Sequence, residues 1–118
     1  MSVDQARQTM SDYFHAMGDG ADFAAFYTGD VRWVMIETGR EAHGPAAVRN
    51  FVLALHGRMY DHRQRELVLA DGHAYLEGDC TDRPGATEPR FVYCLVYDLA
   101  GDRIADMRCY GSIARLME

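Results

Sequence analysis

The chain has 118 residues, a formal charge of -6 and 48% hydrophobic residues, which admits one domain with a real core and leaves too little chain for two. The acidic balance excludes a typical nucleic-acid binder, which needs a basic face to displace counterions from phosphates, and no run of about 18 apolar residues is present to span a membrane. All twelve basic residues are arginine, so no lysine is available for Schiff-base chemistry.

The opening MSVDQARQTM has no basic segment followed by an apolar one, so the expected location is the cytoplasm. The three cysteines, Cys80, Cys94 and Cys109, form no C-x-x-C pair that would suggest zinc or a redox dithiol and read as reduced and mostly buried. His15, His43, His56 and His73 lack ligand-type spacing. Neither a metal nor a cofactor is expected.

Residues 3 to 17 have helical periodicity, with Val3, Ala6, Met10, Tyr13, Phe14 and Met17 on one face. Ser2 or Asp4 can cap the start, and Gly18-Asp19-Gly20 ends the run. Asp22 to Tyr27 reads as a short second helix and Val31 to Glu37 as a strand apolar on both faces. The segment TGREAHG reads as a polar loop. Pro45 suits the first turn of a helix whose buried stripe is Val48, Phe51, Val52, Leu55 and Met59.

Strands are then expected over roughly 62–70, 73–81, 90–99 and 103–113, with turns at Asp71-Gly72, Pro84-Gly85 and Gly101-Asp102. Glu77 and Asp79 share the strand face opposite Ala74, Leu76, Gly78 and Cys80, and read as a solvated pair. Helices first and a meander of long strands last predict a single α+β domain over residues 1–118. A sheet this long relative to its helices curves and leaves a cavity.

The helix ending AMGDGAD, the segment FYTGDVRWVM, the helix start GPAAVRNF and the closing YDLAGDRIADMRCYGSIARLM, in that order, resemble the nuclear transport factor 2-like superfamily, within it the SnoaL-like polyketide cyclase and ketosteroid isomerase branch. The resemblance implies a cone-shaped domain, with N-terminal helices packed in the concave face of a strongly curved, mainly antiparallel sheet around a deep apolar pocket, often dimeric. The superfamily hosts isomerases, cyclases, dehydratases, epoxide hydrolases and non-catalytic binders, so the fold alone names no reaction.

Carried over residue by residue, the isomerase's general base falls on Met35, which cannot take a proton. Its oxyanion-hole tyrosine matches Tyr13, and its hydrogen-bonding acid falls near Tyr93. The epoxide hydrolase triad falls on Gly78, Cys80 and Cys109, none of which can activate water. The cyclase aspartate falls near Cys109, with Asp106 and Ser112 offset from it. In the dehydratase branch a His and Asp dyad abstracts the proton; His62 resembles that histidine in position, and the aspartate falls on Gly18 with Asp19 adjacent.

His62 is a natural base because imidazole titrates near neutrality, although Asp61-His62-Arg63-Gln64-Arg65 also reads as a solvated run. Glu37 shares a face with Trp33 and Met35 and either reaches into the pocket or begins the exposed loop. Tyr13 is either a hydrogen-bond donor to developing charge or a core aromatic. Cys109 is either a pocket thiol or a small core residue.

The function expected is a cofactor-independent lyase, isomerase or cyclase working by proton transfer on an apolar small molecule. His62 acts as base, oriented by Asp19 or Glu37, and Tyr13 and Tyr93 as donors. The pocket is expected to be lined by Trp33, Met35, Phe51, Leu55, Tyr93, Met107 and Cys109. The alternative is a catalytically silent ligand-binding or dimerisation module. A homodimer is expected because Phe91 to Leu99 is apolar on both faces; neither nucleic acid nor membrane is an expected partner.

Overall fold

The structure is a computed structural model and describes residues 2–118. Helix α1, Val3–Gly18, starts where the Ser2 side chain accepts a hydrogen bond from the backbone N–H of Gln5, the arrangement that satisfies an otherwise orphaned first-turn donor. Its buried residues Ala6, Thr9, Met10 and Tyr13 recur at helical spacing, so one stripe of the helix faces the core. A single 3-10 turn, Phe23–Phe26, leads into strand β1, Tyr27–Met35. Strand β2, Arg40–His43, is followed by helix α2, Pro45–His56, which buries Val48, Phe51, Val52 and Leu55.

Strands β3, Tyr60–Ala70, β4, His73–Thr81, β5, Phe91–Ala100, and β6, Arg103–Tyr110, form the rest of the sheet. A second 3-10 segment, Ser112–Met117, closes the chain. The six strands lie in the order β2-β1-β6-β5-β4-β3. Among the described residues only β1 and β6 pair in parallel. The sheet is curved and unclosed, and the helices pack into its concave face, giving the expected α+β fold. No helix among the described residues is long and apolar enough to cross a membrane.

Several boundaries differ from the sequence expectation. TGREAHG is not simply a loop, because Arg40–His43 pairs antiparallel with β1 from Arg32↔His43 to Met35↔Arg40; this edge strand has no buried residue and so no alternation to read. The helix expected over 22–27 shrinks to one 3-10 turn, and β1 begins at Tyr27 rather than Val31. The last strand stops at Tyr110 instead of Ile113, since Gly111 adopts φ +121 and the chain turns back to bury Ile113, Ala114 and Leu116. Strand β3 begins at Tyr60, two residues early.

Asp79 also departs from expectation. Glu77 is exposed, but Asp79 is 2% exposed. Arg63, Arg65 and Arg90 all pair with its carboxylate and cover it. Arginine stems can do this because they pack along a surface while the guanidinium heads stay hydrated.

Candidate functional site

The cavity opens between the helices and the concave face. Phe14 and Met17 of α1, Leu55 and His56 of α2, and Met59 line one side; Trp33, Leu76, Leu95, Tyr97 and Cys109 of the sheet line the other, with Ile113 beneath. His62, Gln64 and Tyr93 supply most of its polar edge. Its volume is about 80 Å³, which accommodates several waters, at about 10–15 Å³ each, or one compact organic molecule.

A strand irregularity aims His62. From Tyr60↔Thr81 to Arg63↔Asp79, β3 advances three residues while β4 advances two, and a second extra residue follows between Gln64 and Glu66. Asp61 takes φ 48 within the first bulge, a left-handed conformation that costs an aspartate less than most residues. Bulges re-aim side chains in this way, so simple alternation along Asp61–Arg65 does not describe β3.

The decisive contact is His62 Nε2 to the Tyr93 hydroxyl at 2.6 Å, with the two rings 5.7 Å apart. His62 is exposed at the cavity's edge, but partial desolvation there still lowers its pKa from the ordinary 6.5, and the nearby Asp79 carboxylate opposes that shift; the imidazole is therefore largely neutral at pH 7. Burial raises the Tyr93 pKa, reinforced by Cys109, Cys80 and Asp79, so the phenol keeps its proton. A neutral base and a neutral donor thus stand side by side.

Gly78 makes room for the pair. It lies opposite Tyr93 in register, and a Cβ there would come within 2.5 Å of the Tyr93 hydroxyl and 2.7 Å of the Arg63 carbonyl. Gly78→Ala therefore moves the phenol off His62 and is expected to lower any turnover about tenfold or more, the scale of a misplaced acid-base group. Retention of full activity together with an unchanged His62 pKa by NMR titration would count against this role.

The other expected site residues fall in several places. Trp33, Leu55, Tyr93 and Cys109 line the cavity, whereas Met35, Phe51 and Met107 are buried behind it. Tyr13 is fully buried, does not line the cavity, and shares a 2.6 Å hydrogen bond with the Tyr27 hydroxyl within a cluster including Phe23 and Tyr97. Asp19 is exposed and pairs with His15 at 3.0 Å. Glu37 lies exposed just beyond β1.

Neither carboxylate is therefore brought to His62, whose hydrogen-bond partner is Tyr93. Burial pushes the Cys109 thiol up to about 12, which leaves little thiolate at neutral pH. His56, Gln64 and Tyr97 of the cavity had not been singled out. His56 follows from its place at the end of the α2 stripe, but Gln64 depends on the bulge.

A family model described as a SnoaL-like domain matches residues 8–107. The chain belongs to the SnoaL-like domain family. The fold is similar to that of a steroid delta-isomerase from Pseudomonas aeruginosa, with TM-score 0.79 at 11% identity over 96% of this chain and 86% of the other. An NTF2-like protein from Burkholderia xenovorans LB400 matches with TM-score 0.75 at 20% identity over 100% and 99%. A de novo designed protein with a curved β-sheet matches with TM-score 0.76 at 13% identity over 99% and 98%. At such identities the likeness establishes the fold alone, and a fold by itself names no chemistry. No curated protein matches the chain at a significant level.

Proposed function

We propose that this SnoaL-like domain is a cofactor-independent enzyme of the lyase, isomerase or cyclase kind, acting by proton transfer on an enolisable carbonyl compound. The observation that carries this reading is the 2.6 Å contact between His62 Nε2 and the Tyr93 hydroxyl at the cavity wall. In an enolisable carbonyl the acidic C–H and the carbonyl oxygen lie on adjacent atoms, so the adjacent base and donor match both. His62 takes the α-proton. The Tyr93 O–H turns from the imidazole to the oxygen and stabilises the negative charge that develops there. Return of the proton from the imidazolium to a different atom gives isomerisation, and loss of a β-substituent gives elimination.

The direct test is solvent deuterium exchange α to the carbonyl of cyclic ketones in D2O, followed by NMR. Catalysed exchange that is lost in His62→Ala supports the proposal; exchange no faster than in buffer across mono- and bicyclic ketones sinks it. The second reading, a ligand-binding module without turnover, is supported by the absence of any Asp or Glu among the residues lining the cavity.

The proposal includes a homodimer formed through the convex face. Val68, Tyr75, Val96, Arg108 and Val34 are mutual register partners across five strands. With Val92 and Tyr110 exposed nearby, the four apolar members make a stripe of the kind that marks an interface, crossed by Arg108 in its ion pairs with Asp98 and Asp106. Sedimentation equilibrium at micromolar concentration is expected to give twice the chain mass and Val96→Arg to halve it; monomer mass for the unaltered chain would refute the dimer. A cytoplasmic location is also proposed, because Cys80, Cys94 and Cys109 are unpaired, as suits a reducing compartment.

A further inference from the structure

Three of the twelve arginines of the chain meet beside the cavity. Arg63, Arg65 and Arg90 all contact the buried Asp79 carboxylate. One guanidinium suffices to neutralise one carboxylate, and gathering two more at the same place costs their mutual repulsion. The cluster therefore holds an excess of positive charge in a chain whose formal charge is -6.

That excess borders a cleft on the outer side of His62. Asp61, His62 and Arg63 of β3 form one wall, and Arg90 with Gly85, Ala86 and Thr87, from the segment between β4 and β5, forms the other. Asp61 is the single acid among these lining residues, so the three arginines outnumber the carboxylates of Asp61 and Asp79. The Arg63 side chain is 53% exposed and that of Arg90 24%. Each meets Asp79 through Nε and Nη2, and Nη1 of each takes no part in those contacts. Guanidinium donors held in a fixed plane suit a carboxylate better than any other anchor of the same charge.

The position of the cleft gives the inference its chemical content. His62 lines both this cleft and the cavity, so the two spaces meet at its imidazole. Arg90 Nη2 also donates to the Asp61 carbonyl at 2.8 Å, which ties one guanidinium to the bulge that aims His62. A compact ring with its ketone at His62 and Tyr93 can therefore present a group on its far side to Arg63 and Arg90.

We propose that Arg63 and Arg90 bind a carboxylate of the same ligand, so that the domain takes cyclic keto acids, with the ketone in the cavity and the carboxylate in the cleft. This rests on the cavity being a ketone site and deepens that reading by naming the charge its substrate carries.

The probes are 4-oxocyclohexanecarboxylate and its methyl ester, which share the ketone and the ring and differ in charge. By isothermal titration calorimetry at low salt the acid is expected to bind about fivefold more tightly or better, the worth of charge-assisted hydrogen bonds at a partly exposed site. Raising the salt to about 0.5 M, where screening acts within a few Å, should remove most of that preference. Arg63→Gln, which leaves Arg65 and Arg90 on Asp79, should bring the two affinities within about twofold of each other. Equal affinities at low salt, a preference indifferent to salt, one undiminished in Arg63→Gln, or binding of neither probe would overturn the inference.

The salt series on the unaltered protein does not depend on the variant folding or on turnover. A salt-sensitive preference for the acid with no catalysed α-deuterium exchange would retain the carboxylate site and remove the proposed proton transfer. Exchange of both probes with equal affinities would do the reverse.

Discussion

His62→Ala is expected to lower kcat by about 10²-fold or more on whichever ketone shows catalysed α-exchange, with KM changing far less, because it removes the base and not the apolar walls. Tyr93→Phe removes the donor to the developing oxyanion and should cost about 10²–10³-fold in kcat. The pair shares one hydrogen bond, so the double variant should lose much less than the product of the single losses. Tyr13→Phe and Glu37→Gln, which alter a residue behind the cavity and one on the surface, should leave kcat within a few-fold of the parent.

The pH profile tests the base independently. An imidazole works only when neutral, and partial desolvation holds the His62 pKa below 6.5, so kcat should stay level through neutrality and fall as pH drops below that depressed value. Initial rates between pH 4 and 8 decide the matter. A parent level of activity in His62→Ala, or a limb that falls on raising the pH through 6 to 7, would rule out this mechanism.

The fold was legible because its signals are periodic. α1 and α2 announce themselves by apolar spacing and by Ser2 and Pro45 at their starts, β4 by alternation, and β5 by a continuous apolar run bounded by turn residues. Strand β2 was not legible, because a four-residue edge strand with no fully buried residue has no hydrophobic alternation to read. The site was legible in its members more than in its pairings. His62 and Tyr93 were both named as candidates, but their sequence separation and the β3 bulge hid that they bond each other.

The expected carboxylate partners Asp19 and Glu37 were chosen from family position and strand face. A residue just past a helix or strand end can point to solvent without any change in the pattern before it. The reading of Asp79 failed for a different reason. Alternation assigns a side chain to a face, and nothing local reveals that Arg63, Arg65 and Arg90 converge on it from β3 and the segment before β5.

That convergence leads to a large expected effect on stability. Burial alone would raise the Asp79 pKa, but Arg65, Arg90 and Arg63 outweigh it and bring it down to about 2. A carboxylate depressed in the folded state contributes stability that is fully present above its unfolded pKa, about 3.9, and is lost as pH falls towards 2. Asp79→Asn keeps the shape but leaves the guanidinium groups facing one another without a counter-charge. Removing one partner of a buried pair costs about 3–5 kcal/mol, and the low end applies here because Arg63 and Arg65 remain about half exposed.

Against a typical total of about 5–15 kcal/mol, a loss near 3 kcal/mol is severe, and urea unfolding at pH 7 should show it as a lower midpoint with unchanged slope. Arg65→Gln removes one exposed partner of a carboxylate that keeps the others, and should cost only about 1 kcal/mol. The same substitution reaches the site, because the Asp79 charge raises the His62 pKa. In Asp79→Asn the acid limb of the kcat profile should therefore move to lower pH, while a merely loosened fold would hydrate His62 further and move it up towards 6.5. An unchanged urea midpoint would show that the three arginines do not need this carboxylate, and an upward shift of the limb would show that Asp79 does not act on His62 through its charge.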